Sequence, residues 1–168
     1  MISVRHLGLV DYEATLAAMV DFTDRRTSDT PDEIWLLEHA PVYTLGLAGD
    51  RSHVLAAGEI PVVQVDRGGQ VTYHGPGQLV AYTLIDLKRA RLTIRDLVTT
   101  LEDAVIECAA EYGIDARSRR TAPAASVDHA KLAGTGLRVR RGPRYPGRAL
   151  NVALHLAPAA RTNPCPSP

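Results

Sequence analysis

An excess of charge of either sign is missing from this chain. Its 168 residues carry 19 Lys and Arg against 19 Asp and Glu, a formal net charge of zero. Without a net field there is no bulk attraction to nucleic acid or to an anionic membrane surface, so neither is an expected partner. No apolar run approaches the length that spans a bilayer. The opening MISVRHLGLVDYE has no basic start leading into a long apolar stretch, so no secretory leader is expected. Cysteine is scarce, with Cys108 and Cys165 alone and no C-x-x-C pair. A chain of this size builds its own core and needs no disulfide framework, so both are expected as reduced thiols in the cytoplasm. The histidines at 6, 39, 53, 74, 129 and 155 show no H-x-x-x-H spacing, so no metal site is expected. Internal repeats and low-complexity tracts are lacking as well.

What is present is ordinary globular material: 45% hydrophobic and 23% charged residues, read as one domain over 1–168. SVRHLGLV reads as a strand and DYEATLAAMVDFTDRR as a helix, with Asp11 as N-cap and Leu16, Met19, Val20 and Phe22 as its apolar stripe. EIWLLEHA is a buried strand, and Pro41 opens a loop. IPVVQVD and QVTYH read as strands joined through Arg-Gly-Gly. QLVAYTLIDL is apolar on both alternating faces, as a central strand covered on both sides would be. TIRDLVTTLEDAVIECAAEYG is the clearest helix, capped by Thr93 with Asp96 at N3 and ended by Gly113. Its stripe of Ile94, Leu97, Leu101, Ala104, Val105 and Cys108 makes Cys108 a buried, inert thiol. ARSRRTAPAAS reads as a loop. AKLAGTGLRVRRG and RALNVALHL read as paired strands around GPRYPG. The expected fold class is α+β (mixed α/β), a mainly antiparallel sheet with flanking helices.

Chemistry concentrates in DRGGQVTYHGPGQLVAY, residues 66–82. Its glycines allow a backbone to approach a ligand and to aim N–H groups at it. No Gly-Lys-Ser or Gly-Lys-Thr follows, so this is not a phosphate loop, and no helix starts here, so it is not a dinucleotide fingerprint. Two readings stand: a hairpin with a tight turn, or a pocket wall for an extended ligand. His74 is either a hydrogen-bonded structural residue or a general base for a nearby thiol. Lys131 either snorkels to solvent or draws a cysteine toward thiolate. Arg138, Arg140, Arg141, Arg144 and Arg148 form either a solvated edge or a landing site for an acidic partner.

RGGQVTYHGPGQLVAYTLIDL closely resembles the signature of the lipoyl(octanoyl) transferase family. LLEHAPVYTLG, DHAKLAGTGLRVRRG and GRALNVALHL followed by Asn-Pro-Cys resemble its other blocks, in order, from about residue 3 to Cys165. The resemblance implies a biotin/lipoate protein ligase-like single domain and an acyltransferase. Such an enzyme moves an octanoyl group from octanoyl-acyl carrier protein to a lysine of the lipoyl domains of 2-oxo acid dehydrogenases, or of glycine cleavage H protein. It implies catalytic residues Cys165 and Lys131. It also implies substrate-binding stretches at Arg67, Gly68, Gly69, Gln70, Val71, Thr72, Tyr73 and His74, at Gly134, Thr135 and Gly136, and at Gly147, Arg148 and Ala149. The acyl group arrives activated, so the resemblance implies no ATP, metal or other cofactor, in a cytoplasmic monomer.

The chain departs from that pattern in three places. Pro146-Gly147 stands for His-Gly, and Gly134-Thr135-Gly136 for Ser-Leu-Gly or a close variant. Pro166 replaces the glycine after Cys165, and the chain stops at Pro168, so the C-terminal part of the family domain is expected to be missing after about residue 165. Pro166 has no N–H to offer an oxyanion. The alternatives are a shortened relative that binds acyl chain or carrier but transfers poorly, and an ATP-dependent lipoate or biotin protein ligase.

Overall fold

A computed structural model describes residues 2–119, 122–127, 130–138, 145–151 and 156–162. Strand β1 (Ile2–Val10) runs parallel to β2 (Asp32–His39), and helix α1 (Tyr12–Arg25) makes the crossover that parallel neighbours require. The Asp11 carboxylate accepts from the Ala14 amide at 2.8 Å, the expected N-cap. Leu16, Met19 and Phe22 then pack on Trp35 and Leu37 of β2 and on Val80 and Leu84 of β6 (Gln78–Leu84). Each such side chain taken fully out of water contributes about 1.5–3 kcal/mol, so this cluster is the main anchor of α1.

The large sheet has the order β1-β2-β6-β10-β9-β8-β7, with β7 at Arg117–Arg119, β8 at Ala122–Val127, β9 at Ala130–Arg138 and β10 at Tyr145–Asn151. Every pairing beyond β1–β2 is antiparallel, as expected. β6 does lie centrally, between β2 and β10. It is not sealed on both faces, because Leu79 is 37% exposed. The stretch read as the loop ARSRRTAPAAS instead supplies β7 and β8. Its alternating small residues gave no hydrophobic period, yet Ala125 pairs with Ala133 and both are fully buried. β10 begins earlier than expected and ends at Asn151, and a short helix α3 follows at Leu156–Ala159.

A second correction concerns Pro41. It opens not a loop but strand β3 (Val42–Leu45), buried along its whole length. β3 lies in the middle of a small sheet, parallel to β4 (Val62–Gln64) and antiparallel to β5 (Val71–His74). The two strands expected to meet through Arg-Gly-Gly are thus separated by a third. Proline has no N–H to add to a ladder, so it stands before the strand, while Val, Tyr and Thr suit a pleated buried one.

Helix α2 (Ile94–Glu111) packs on β7, β8 and β10. Thr93 and Asp96 close the expected capping box: the Thr93 amide donates to Asp96 at 2.8 Å and the Asp96 amide to Thr93 Oγ1 at 3.1 Å. Gly113 stands past the helix end at φ +73°, where glycine is favoured. The inward residues are Leu97, Glu102 and Ala109, while Cys108 is exposed, contrary to expectation. The buried positions 97, 102 and 109 are spaced by five and seven, and Cys108 is not among them. Glu102 tolerates burial because its carboxylate accepts from Ser118 Oγ at 2.8 Å.

At the start of β2, the Asp32 carboxylate takes Arg26 at 2.6 Å, Arg89 at 2.7 Å and the Asp86 amide at 2.8 Å. Burial alone would raise its pKa, but the Asp86 amide and the two guanidiniums hold it below the ordinary value.

Candidate functional site

The glycine-rich stretch is organised by Arg67. Its Nη2 lies 2.9 Å from Thr44 O, 2.8 Å from Thr44 Oγ1, 3.0 Å from Gln70 O and 2.9 Å from Thr72 Oγ1. Nη1 donates to Gly68 O at 2.9 Å. One guanidinium thus ties the 67–70 loop to the middle strand of the small sheet and to β5. Two backbones meet beneath it. The Gly46 amide donates to Gln70 O at 3.1 Å, and the Leu47 amide to Arg67 O at 2.9 Å. A Cβ on Gly46 would strike the Gly69 carbonyl inside 3.0 Å and reach Arg67 Nη1 at 3.0 Å. Gly69 itself stands at φ +88°. Gly46→Ala is expected to cost about 1–3 kcal/mol by overpacking. The urea midpoint measures it, and an unchanged midpoint would show that the loop gives way freely.

His74 ends β5 inside an aromatic cluster. Its ring is 6.0 Å from that of Tyr12 and 5.9 Å from that of His39. Nδ1 donates to Gln78 Oε1 at 2.5 Å, and the Gln78 amide is oriented by its other end, which donates to Tyr73 O at 3.4 Å. His39 is fully buried at the end of β2. Its Nδ1 can only donate to Val10 O, at 3.2 Å, so Nε2 accepts from the Tyr82 hydroxyl at 2.8 Å. Burial lowers the His39 pKa, with the Val10 carbonyl and Asp11 opposing. Burial pushes His74 down to about 4; the Gln78 bond opposes, and His39 and Arg67 add to the fall. A neutral imidazole this weakly basic suits a hydrogen-bonded wall better than a general base.

A pH dependence follows. Between about pH 6.5 and 4 the unfolded chain protonates residue 74 and the folded chain does not, so lowering the pH favours unfolding. The loss from this group approaches about 3 kcal/mol by pH 4. Below that, protonation of Asp32 removes its own contribution as pH falls through its lowered pKa. Urea midpoints of the wild type and His74→Gln across this range measure the effect. The variant should have a flatter slope, and an equally steep one would refute the assignment.

Strands β9 and β10 bring the other two expected stretches together. Gly134, Thr135 and Gly136 face Ala149, Arg148 and Gly147 in direct register. On its other edge β10 sets Gly147 opposite Tyr82 and Ala149 opposite Val80. Gly136 and Gly147, neither with a side chain, are paired with each other, and Gly147 also stands opposite Tyr82. The cluster of Tyr12, His39, His74 and Tyr82 therefore connects residues 67–74 with 134–136 and 147–149. Lys131 lies near the start of β9 opposite Ser126. Its side chain and Cys165 lie outside the described residues, as do Arg140, Arg141 and Arg144.

Sequence reasoning missed Thr44, Tyr12, His39 and Tyr82. Thr44 was hidden in the stretch read as a loop. The other three are isolated residues on separate elements, and no spacing signals their meeting.

The two-sheet arrangement is that of lipoate protein ligases. The bipartite lipoate protein ligase of Thermoplasma acidophilum superposes with a TM-score of 0.75 over 99% of this chain and 68% of that chain, at 17% identity, a likeness of fold. Residues 11–167 match the family described as the lipoyl protein ligase A/B catalytic domain. The octanoyltransferase of Aromatoleum aromaticum is 60% identical over 162 residues, covering 96% of this chain and 70% of the relative. That of Hahella chejuensis is 56% identical, with 96% and 72% covered. The chain belongs to the lipoyl protein ligase A/B catalytic domain family, and within it to the octanoyltransferases.

Among the described residues no helix is long and apolar enough to cross a membrane.

Proposed function

We propose that this protein transfers an octanoyl group from the phosphopantetheine thioester of acyl carrier protein to a lysine of a lipoyl domain, through a thioester on Cys165. The observation that carries the reading is the meeting of residues 67–74, 134–136 and 147–149 around Tyr82, set beside the family membership. The Cys165 thiolate attacks the octanoyl carbonyl carbon. A new carbon–sulfur bond forms, the old one breaks, and the pantetheine thiolate leaves and takes up a proton. The exchange of one thioester for another is nearly balanced. The target lysine amine then attacks the Cys165 thioester, the amide forms, and the Cys165 sulfur leaves as thiolate. Lys131 receives the proton that the attacking amine gives up. Amide formation drives the sequence, and no ATP or metal enters. Pro166 cannot donate to the developing oxyanion, so that donor comes from another backbone N–H. The basic run from Arg138 to Arg148 suits acidic carrier and lipoyl domains.

Incubation with octanoyl-acyl carrier protein, followed by peptide mass spectrometry, tests the reading. An octanoyl adduct on Cys165 that chases onto a lipoyl domain is expected. Folded protein without an adduct, or transfer that requires ATP, would overturn it.

A further inference from the structure

The excursion between β3 and β4 holds two things at once. At its near end it is bonded to the 67–70 loop, through Gly46 N to Gln70 O and Leu47 N to Arg67 O. It then folds into a single 3-10 turn, Arg51–His53. Asp50 caps the turn by accepting from Ser52 N at 2.8 Å, and His53 N donates to Asp50 O at 3.0 Å. This turn presents His53 to Gln70, whose Oε1 takes a hydrogen bond from His53 Nδ1 at 3.0 Å. The next residues grip a different part of the chain. Val54 forms a β-bridge with Thr162, and Leu55 N donates to Arg161 O at 2.9 Å. The same segment is held from the other side: Tyr43 Oη donates to Pro158 O at 2.7 Å, and Arg161 N returns to Pro158 O at 3.0 Å.

Three peptide units separate Thr162 from Cys165, a reach of at most about 11 Å. The strap thus fastens residues 161–162, which end three positions before Cys165 in the chain, to the loop that Arg67 organises. We propose that residues 46–55 are a strap that registers residues 158–162, which precede Cys165 in the chain, against the Arg67–Gln70 loop, with His53 as the positioning residue. This rests on the reading of Cys165 as nucleophile. Between the Leu47–Arg67 bond and the Val54–Thr162 bridge the backbone runs through residues 48–53, and the side-chain bond between His53 and Gln70 ties the far end of that excursion directly back to the loop.

The test uses the full chain, octanoyl-acyl carrier protein as donor, and single-turnover formation of the Cys165 thioester. His53→Ala is expected to lower the acylation rate at saturating donor by about tenfold, because a small displacement of a reacting atom is costly. The half-saturating donor concentration and the urea midpoint should stay near wild type, within about twofold and within error respectively. His53→Asn keeps an N–H that can donate to Gln70 Oε1 and should restore the rate to within about threefold. His53→Ala with Gln70→Ala should be no slower than the slower single variant, as two residues acting through one bond require. Wild-type acylation by His53→Ala would overturn the proposal. So would a slowing that tracks a fall in the urea midpoint and that asparagine fails to rescue. Should wild type form no thioester, it is the nucleophile reading that fails. The strap is then judged by iodoacetamide labelling of Cys165 relative to the exposed Cys108 in the same chain. A ratio raised about threefold or more in His53→Ala supports it, and an unchanged ratio overturns it.

Discussion

Cys165→Ala is expected to abolish octanoyl transfer, with a loss of about a thousandfold or more in the rate of lipoyl-domain modification. In the proposed reaction one thioester is exchanged for another before an amide is made. Without a sulfur at this position the acyl group has no covalent station, and only direct attack of the target lysine on the carrier thioester remains. That route lacks both the split barrier and the positioned leaving group. Cys108 supplies the internal control. It is exposed on α2, not on the Cys165 segment, so Cys108→Ala should transfer at the wild-type rate. Intact mass should show one octanoyl group on wild type and on Cys108→Ala, and none on Cys165→Ala. Transfer that survives in Cys165→Ala would end the thioester mechanism and leave direct transfer or an acyl-adenylate route to be separated by ATP dependence.

The second large effect is expected at Arg67. One nitrogen of its guanidinium lies within 3.0 Å of two backbone carbonyls and two threonine hydroxyls. Thr44 is fully buried, so truncation leaves its carbonyl and hydroxyl short of a donor in a place water does not easily reach. An unsatisfied buried polar group costs about 1–3 kcal/mol, and Arg67→Ala should lower stability by about 2–4 kcal/mol. Lysine is a point charge without the planar fork, so Arg67→Lys should recover part of that and no more. Activity should fall further than stability. The loop that Arg67 fixes carries Gly69 and Gln70 and leads into Tyr73 and His74, so acylation of Cys165 should slow by about a hundredfold even where the chain is fully folded. Urea titration and single-turnover acylation measure the two effects separately. Wild-type acylation by folded Arg67→Ala would show that the loop holds its shape without the guanidinium.

Both effects bear on how the chemistry is distributed over the chain. The residues that resemble the family's binding stretches lie on two sheets, and what joins those sheets at the site is a set of side chains outside those stretches. His39 accepts from Tyr82, His39 and Tyr12 contact the His74 ring, and Thr44 receives Arg67. The strap adds a third joint through His53. A substitution at any of these leaves the expected catalytic and substrate-binding residues in place and is expected to change the geometry of the site.

Several features of the protein were decided locally and could be read from residues alone. The Asp11 cap and the Thr93–Asp96 box depend on groups a few residues apart, so their sequence spacing is their structure. The apolar stripe of α1 is a matter of helical period. The blocks from Arg67 to Leu87 and from Asp128 to Gly142 pointed to the family because their order survives whatever surrounds them. Tertiary structure alone decided the rest. Val42–Leu45 became a strand because partners arrive on both edges from residues 62–64 and 71–74. Arg117–Arg119 and Ala122–Val127 became strands because they pair with each other and, through the second, with β9. Cys108 turned outward because the face α2 buries is chosen by the sheet it lies on. The His74 pKa is lowered because the fold buries the ring beside Tyr12 and His39, from other elements, against the opposing pull of its Gln78 bond. Period and capping are short-range and are written in spacing. Strand partners, burial and pKa are set by groups that come together only when the chain has closed on itself.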